Sequence, residues 1–566
     1  MLEDFKRVFK KKRRHGSRDI APEEIFIDSE NLPDFNVHQF EGRIEKPISK
    51  GVFKAIYFFM FLVGSLFFWK IWNLEVVNGE TYRTRSDNNS LNKTVIYADR
   101  GVIYDRNKLP IVWNTINKET PDYSLRVYAT STGLSTLLGY VKYPTKDSKG
   151  VYWEDKFDAK DGLEKIYNTQ ISGKNGVRII ESDVGGEVVS ESVVQQPVDG
   201  ESLNLSIDLR LQKRLRESLL DVADRGGFKG GSGIIMDIHT GEILAISNFP
   251  EYESQIMTDG GNNTKINEWI SSSNHPFLNR SIQGLYTPGS IMKIFIAMGV
   301  LNEKVIDPNT QILSTGSITI PNPFFPDKPS TFMDWKAHGA VDLRRAIAVS
   351  SNVYFYEVTG GYKGQKGIGI SNVDKYTRLF GFGTTTGINF PGEKLGTIPN
   401  PEWKEKTFEG EEWRVGDTYN TAIGQYGFQV TPIQVISAVG AMANGGKLLV
   451  PKFLKDEKTV ERGVVELDPR YFQIVKEGMR EGVTEGTSAA INFPFVKVAS
   501  KTGTAQIGVA KDEVNSWVVG FWPLDNPKYA YTVVMERGSK NNQFGAVLVM
   551  QSFLDYLHIY LPEYLE

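Results

Sequence analysis

Cysteine is absent from all 566 residues, which removes disulfides, thiol nucleophiles, cysteine-ligated zinc and iron–sulfur clusters. Histidine is scarce. The six stand at positions 15, 38, 239, 275, 338 and 558, and no two have the i, i+4 spacing of a metal-binding helix. Neither a metal nor a cofactor is therefore expected. An excess of one charge is also missing: Lys plus Arg number 65 and Asp plus Glu 68, a net of −3, so the global balance offers nothing to a nucleic acid or another polyanion. No internal repeat of about 20–50 residues is visible, which argues against solenoids and propellers. What is present is an ordinary globular composition, 40% hydrophobic and 23% charged. It excludes a mostly disordered or fibrous chain, and at roughly 100–200 residues per domain the length implies three or four units.

Charge matters locally. From Lys6 to Arg18 there are eight basic residues and no acid, and from Asp19 to Glu45 eight acids and only Arg43. Val52 to Leu74 follows, almost wholly apolar, with fifteen uncharged residues from Ala55 to Trp69 between Lys54 and Lys70. Helical, this segment would reach about 34 Å and cross a hydrocarbon core of about 30 Å with both lysines snorkelling outward. A buried core helix fits less well, because aromatic side chains crowd every face. A cleaved signal peptide fits less well too, because no small-residue cleavage site follows Trp72. The basic arm is expected in the cytoplasm by the positive-inside tendency, which places residues 75–566 outside, together with any substrate. The expected organisation is a cytoplasmic tail (1–51), a transmembrane helix (52–74), an α+β spacer or docking domain (75–205) and a larger α+β domain (206–566).

In the spacer, residues 94–113 (TVIYADRGVIYDRNKLPIVW) alternate well enough for two short strands around a turn at Asp105-Arg106-Asn107. Gly162 to Gly176 reads as a short helix with a glycine stop, followed by strand-like VRIIESDVGGEVV. Beyond Ser206, SIDLRLQKRLRESLLDVA predicts a capped amphipathic helix with Leu209, Leu211, Leu215, Leu219 and Leu220 on its buried side. GIIMDIHTGEILAIS predicts a hairpin turning at His239, and WVVGFWPLDNPKYAYTVVME a second turning at Asp525-Asn526-Pro527, before a closing helix. Strands at both ends with helices between them predict one antiparallel sheet assembled from distant pieces and packed by helices.

Three short motifs stand in order in this larger domain. Ser290-Ile291-Met292-Lys293 follows Pro288-Gly289 and opens an apolar run, so Ser290 belongs at a helix N-terminus. Free N–H groups there can receive a developing oxyanion, and Lys293 lies one turn on, within reach of the hydroxyl. Burial and a neighbouring cation would favour the neutral amine that a base requires. That cation is Lys501, within Ser500-Lys501-Thr502-Gly503-Thr504, a strand edge whose Gly503 admits close backbone approach. Between them lies Ser350-Ser351-Asn352, with Ser350 suited to relaying a proton and Asn352 to holding an amide. Taken singly these are weak signals, since Ser290 alone reads as an N-cap and Ser350-Asn352 as a helix-terminal turn. His338 reads as a structural hydrogen-bonder, and Trp403 and Trp413 as loop anchors.

Order and context together are specific, and the trio is a known motif set of β-lactamases and penicillin-binding proteins. Along nearly its whole length outside the tail, the chain resembles the class B penicillin-binding proteins, the D,D-transpeptidases that cross-link peptidoglycan. The resemblance also rests on DRGVIYDRN (Asp99 to Asn107), GLEKIYNTQISGKNG (Gly162 to Gly176), MDIHTGEILAISNFPEY (Met236 to Tyr252), WRVGDTYNTAIGQYGFQVTPIQ (Trp413 to Gln434) and SWVVGFWP near the end. The elongation type is preferred to the division type on Gly360 to Gly383 and PNPEWKEK after Gly396.

The resemblance implies a pedestal domain and a transpeptidase domain, with Ser290 attacking the penultimate D-Ala carbonyl of a stem pentapeptide and β-lactams taking the same route. Lys293 would take the serine proton and Ser350 pass one to the departing amine. Asn352 would bind the substrate amide, Lys501 supply positive potential, and Thr502 and Thr504 meet the terminal carboxylate. The N–H groups of Ser290 and Thr504, flanking Gly503, would form the oxyanion hole. An acceptor amine from a neighbouring stem would then replace water. The implied partner is a polytopic lipid II polymerase, a SEDS-type glycosyltransferase, met through the transmembrane helix and pedestal. Departures from the pattern are Ser500 in place of glycine, Tyr426-Gly427 in reversed order, and a short spacing from Asn107 to Leu137-Leu138-Gly139-Tyr140 that implies a pedestal without a head subdomain. The competing readings are a septal transpeptidase, a D,D-carboxypeptidase or β-lactamase, and a penicillin-sensing receptor. A bifunctional synthase is disfavoured, because residues 75–205 lack an E-D-x-x-F-x-x-H pattern.

Overall fold

The computed structural model describes residues 50–83, 91–148, 152, 154–182, 188–322, 325–508 and 512–566. Of the basic and acidic tail expected over residues 1–51, residues 1–49 lie outside them. Two compact units are distinguished, 1–90 and 91–566.

In the first unit, helix α1 spans Lys50–Trp72 and continues as a wider turn over Asn73–Val77. The helical stretch totals 28 residues, about 42 Å. Its apolar side chains are exposed on every face, with Phe58 at 67%, Phe61 at 73% and Trp69 at 64%. A helix that is apolar all round needs an apolar solvent, which the bilayer supplies.

The second unit opens with a three-stranded and a four-stranded sheet. Strands β1 (Leu91–Ile96), β5 (Gly176–Ser182) and β6 (Val188–Gln195) form one, in the order β1-β5-β6. Residues 183–187 of the expected long strand lie outside the described residues. The other sheet runs β4-β3-β2-β7, from β2 (Ile103–Tyr104), β3 (Pro110–Thr115), β4 (Leu125–Tyr128) and β7 (Leu203–Asn204). The turn at Asp105 is as expected: its carboxylate accepts from the N–H groups of Asn107 at 2.7 Å and Leu109 at 2.8 Å. The expected first strand, however, is two strands in different sheets, since Thr94 pairs with Arg178 while Ile103 pairs with Val112. The break falls where Arg100 dives into the interior. Its guanidinium meets Glu164 at 2.6 Å, and Arg126 reaches the other Glu164 oxygen at 2.8 Å. Glu164 sits on helix α2 (Gly162–Ile166), and all three side chains are buried. Burial alone would raise the Glu164 carboxyl, but the Arg126 and Arg100 charges outweigh it and hold it below the usual range.

The larger part is built on a five-stranded antiparallel sheet. Helix α3 (Leu209–Gly226) leads into β8 (Gly230–Asp237) and β9 (Ile243–Phe249). The chain returns much later as β10 (Ala499–Ile507), β11 (Glu513–Trp522) and β12 (Tyr529–Ser539). The spatial order β9-β8-β12-β11-β10 leaves β10 at an edge. Alternate residues serve opposite faces. Ile234, Trp517, Val519 and Val534 join one core cluster, while Ile235, Val518 and Val533 join another. Both faces are covered, so the strands read as continuous apolar runs. The first cluster includes side chains of α4 (Lys293–Asn302) and α7 (Pro432–Asn444); the second includes α3 and α8 (Ala546–Tyr560). Within α3, Leu211, Leu215 and Leu219 are buried, but Leu220 is 39% exposed, contrary to expectation. It stands 100° round the helix from Leu219, and Val222 and Ala223 complete the stripe instead.

Candidate active site

Ser290 is placed by a constrained backbone. Gly289 has φ +60°, and its N–H donates to the Gly424 carbonyl at 3.0 Å. A Cβ on Gly289 would lie 2.9 Å from the Thr504 carbonyl oxygen, and one on Gly424 only 2.2 Å from the Gly289 oxygen. Three backbone segments therefore meet at van der Waals limits behind the serine. Residues Gly289–Met292 form a 3₁₀ turn, and α4 begins only at Lys293. An α-helical start at Ser290 is expected from the sequence. The tighter turn eclipses side chains three apart, which aligns Ser290 with Lys293.

The middle motif sits between α5 (Leu343–Ala348) and α6 (Asn352–Gly360). Ser350 has φ +59°, and Ser351 caps α6, its hydroxyl accepting from the Tyr354 N–H at 3.3 Å. The kink delivers Ser350 and Asn352 to the buried Lys293. The Lys293 ammonium donates to the Ser350 carbonyl at 2.8 Å, the Asn352 Oδ1 at 2.7 Å and, more weakly, the Ser350 hydroxyl at 3.4 Å. Its hydrogen bonds thus run to the middle motif rather than to the Ser290 hydroxyl. From the other side Lys501, also buried, donates to the Ser350 hydroxyl at 2.8 Å and to the Thr502 carbonyl at 2.7 Å.

Burial lowers the Lys293 ammonium to about 7, against the opposing pull of Asp334. Lys501 is pushed well below its ordinary value, first by burial and then by the Lys293 charge. Such a lysine can exchange a proton near neutrality.

These residues open onto a cleft of about 930 Å³ lined by Ser290, Ser350, Asn352, Thr502, Gly503 and Thr504. Its floor on one side is the edge strand β10, where Gly503 pairs with Trp517 and Thr504 with Ser516. Among the described residues the opposite edge of β10 has no strand beside it, as an extended peptide would require for strand addition. Thr502 is held from the far side, its hydroxyl donating to the Thr487 hydroxyl at 2.6 Å. Of the eight residues that the three motifs contribute, six line this cleft, and the buried Lys293 and Lys501 are joined to it through Ser350.

Comparison with known proteins bears on this arrangement. The model of the penicillin binding protein transpeptidase domain matches residues 231–550, and that of the penicillin-binding protein dimerisation domain matches 118–205. The peptidoglycan D,D-transpeptidase MrdA of Haemophilus influenzae is 31% identical over 79% of this chain and 71% of its own length. The chain belongs to the penicillin-binding protein transpeptidases. It is a class B member of the elongation type, as are its MrdA relatives, among them that of Escherichia coli, 26% identical over 86% of this chain and 90% of its own length. In three dimensions this transpeptidase is similar to PBP2 of Helicobacter pylori solved in complex with MreC, with a TM-score of 0.68, 26% identity and coverage of 83% of this chain and 99% of that one. PBP2 of Pseudomonas aeruginosa gives a TM-score of 0.65 at 27% identity, covering 82% and 97%.

Two site residues of this transpeptidase escape sequence reasoning. Thr487 carries no local signal. Asp334 does carry one: it stands four residues before His338, whose ring approaches it at 3.6 Å. Trp413 is a loop anchor as expected, its indole N–H donating to the Thr418 hydroxyl at 2.8 Å. Trp403 packs edge-on against Tyr426 at 5.7 Å, and Tyr426 in turn lines the cleft.

Proposed function

We propose the following division of labour among the residues of this peptidoglycan D,D-transpeptidase of cell-wall elongation. Ser290 Oγ attacks the carbonyl of the penultimate D-Ala while Lys293, as the neutral amine, accepts the serine proton. The carbonyl oxygen gathers charge between the N–H groups of Ser290 and Thr504, beside Gly503. Ser350 returns a proton to the departing D-Ala amine, leaving an ester on Ser290. Asn352 holds the substrate amide, and Lys501 and Thr502 face the terminal carboxylate with Thr504. An acceptor amine then attacks the ester, loses a proton to the same relay and frees the serine. β-Lactams acylate Ser290 by the first half of this sequence. The observation that carries the reading is the meeting of Lys293 and Lys501 at the single Ser350 hydroxyl, 3.4 and 2.8 Å away.

The test compares labelling by a fluorescent penicillin in the full chain and in Ser290→Ala, which must abolish it. D-Ala release with and without an added acceptor amine then separates transfer from hydrolysis.

The apolar helix anchors the chain in a membrane. We infer that this is the inner membrane, with the N-terminus cytoplasmic and the catalytic cleft outside. We also infer a division into tail, transmembrane helix, pedestal (75–205) and transpeptidase domain (206–566). Because the chain lacks cysteine, Ser17→Cys and Thr81→Cys supply single thiols on either side. An impermeant maleimide added to intact spheroplasts should label only the second. A polytopic lipid II polymerase is the proposed membrane partner. What supports it is the length of α1, whose exposed Phe, Leu and Trp side chains offer an unbroken apolar surface to another helix; co-purification lost on scrambling residues 52–74 tests it.

A further inference from the structure

Behind the middle motif lies a carboxylate that the proposed chemistry does not use. The Asp334 side chain is completely buried, and among the described residues lining the cleft it is the one acid. One of its oxygens accepts from the Ser351 hydroxyl at 2.9 Å, the Val353 N–H at 3.0 Å and the Ser314 hydroxyl at 3.3 Å. The other accepts from the Trp335 N–H at 2.9 Å and faces His338 Nε2 at 3.6 Å. Ser314 and Ser351 lie in segments far apart in sequence, so the carboxylate ties the loop at 334–338 to the first turn of α6.

That turn begins with Asn352, whose Oδ1 takes the Lys293 ammonium at 2.7 Å. Displacing the Asp334 carboxylate frees the α6 N-terminus, and with it the Asn352 oxygen and the Ser350 carbonyl, which accept two of the three Lys293 hydrogen bonds. A buried anion also favours the protonated form of the buried Lys293, against the burial that disfavours it.

We propose that Asp334 is a positioning residue for acylation: its carboxylate fixes the first turn of α6, and so the amide oxygen that holds Lys293, and its negative charge balances the Lys293–Lys501 pair. The charged and titratable groups that face this cluster are Lys293 from α4, Lys501 from β10, Lys336 and His338 from Asp334's own loop, and the Tyr356 phenol from α6. His338 is held below its usual value, chiefly by burial, and so is neutral at pH 7. It leaves the carboxylate charge uncompensated except by the lysines. The carboxylate itself stays ionised. Burial pushes it up, but the Val353 and Asn352 N–H groups, the Lys293 charge and the Ser351 hydroxyl together hold it below the usual range.

This inference rests on Lys293 acting as the base, and the experiment separates the two. The second-order rate of acylation by a fluorescent penicillin is measured on the full-length chain in detergent from about pH 5.5 to about pH 9. Wild type should lose rate on the acid side of about 7 as Lys293 becomes charged. A wild-type profile without that acid limb overturns both readings. Asp334→Asn should lower the alkaline plateau about tenfold and move the limb's midpoint down by about half a unit or more, since a lysine without its counter-anion holds a proton less well. An unchanged profile, or a lower plateau with the midpoint unmoved, overturns the Asp334 proposal and leaves the base assignment standing. Asp334→Glu, which keeps the charge but displaces it from the Val353 N–H, should restore the midpoint while the plateau stays at least about threefold low. Should Asp334→Asn not fold, Asp334→Glu decides: a profile superimposable on wild type overturns the proposal.

Discussion

The Lys501 ammonium donates to the Ser350 hydroxyl at 2.8 Å, joining the free edge of the central sheet to the kink before α6. Both lysines are buried, and the charge of Lys293 adds to burial in disfavouring that of Lys501. Lys293 itself is brought by burial to about 7, where a proton is readily exchanged.

Removing the shared oxygen tests the relay. Ser350→Ala leaves the two buried lysines without a common acceptor and the leaving amine without a donor. Acylation by a fluorescent penicillin should fall about 10²- to 10³-fold, the range usual for a lost acid–base group. The mutant's melting temperature should change little, because the side chain it loses is small.

The second prediction concerns pH. In Lys501→Met a neighbouring cation disappears, so the Lys293 ammonium becomes easier to hold and its proton affinity rises. The neutral amine is then scarcer at a given pH. The acid limb of the acylation profile, near 7 in wild type, should move to higher pH, opposite to the shift expected for Asp334→Asn. Stopped-flow acylation across the range measures it, and a limb that moves down or stays fixed removes the coupling between the lysines.

Backbone packing behind the nucleophile gives a third. Gly424 has φ +71°, and its added Cβ would sit 2.2 Å from the Gly289 carbonyl oxygen. Gly424→Ala must displace residues 288–290 from residue 424 and so misplace Ser290. A displacement of about 1 Å at a reacting atom costs on the order of 10²-fold. Penicillin acylation should fall by about that factor while the bulk of the sheet still melts cooperatively.

How much of this was readable in the chain depends on the range of the interaction. The hairpins around His239 and Asp525 were legible because turn residues interrupt apolar runs. Ser290 and Lys293 were legible because a Pro-Gly pair and a one-turn spacing are local facts. Sheet order was not: β8 pairs with β12, Ile234 opposite Thr532, and nothing local in either strand names its partner. The spacing of Asp334 from His338 is local, but the role of the carboxylate is not, since it depends on Ser314 and Ser351, brought to it by folding. Leu220 failed differently, because one position of helical rotation separates a buried from an exposed leucine.

The pedestal yields the last prediction. Glu164 is enclosed by Arg100 and Arg126 at 2.6 and 2.8 Å, with all three side chains buried. Glu164→Gln leaves two guanidinium groups in the interior with no anion, and breaking a buried pair in this way costs about 3–5 kcal/mol. The native carboxyl is held below its ordinary 4.5, so its ionised form contributes stability above that value, and the contribution is lost as pH falls toward the lowered folded-state value. Urea unfolding followed from about pH 7 to about pH 3 should therefore show wild type weakening on the acid side, with the mutant weaker throughout and less sensitive to acid. Penicillin acylation of Ser290 in the folded mutant should stay within about twofold of wild type, since the substitution touches none of the groups that line the cleft.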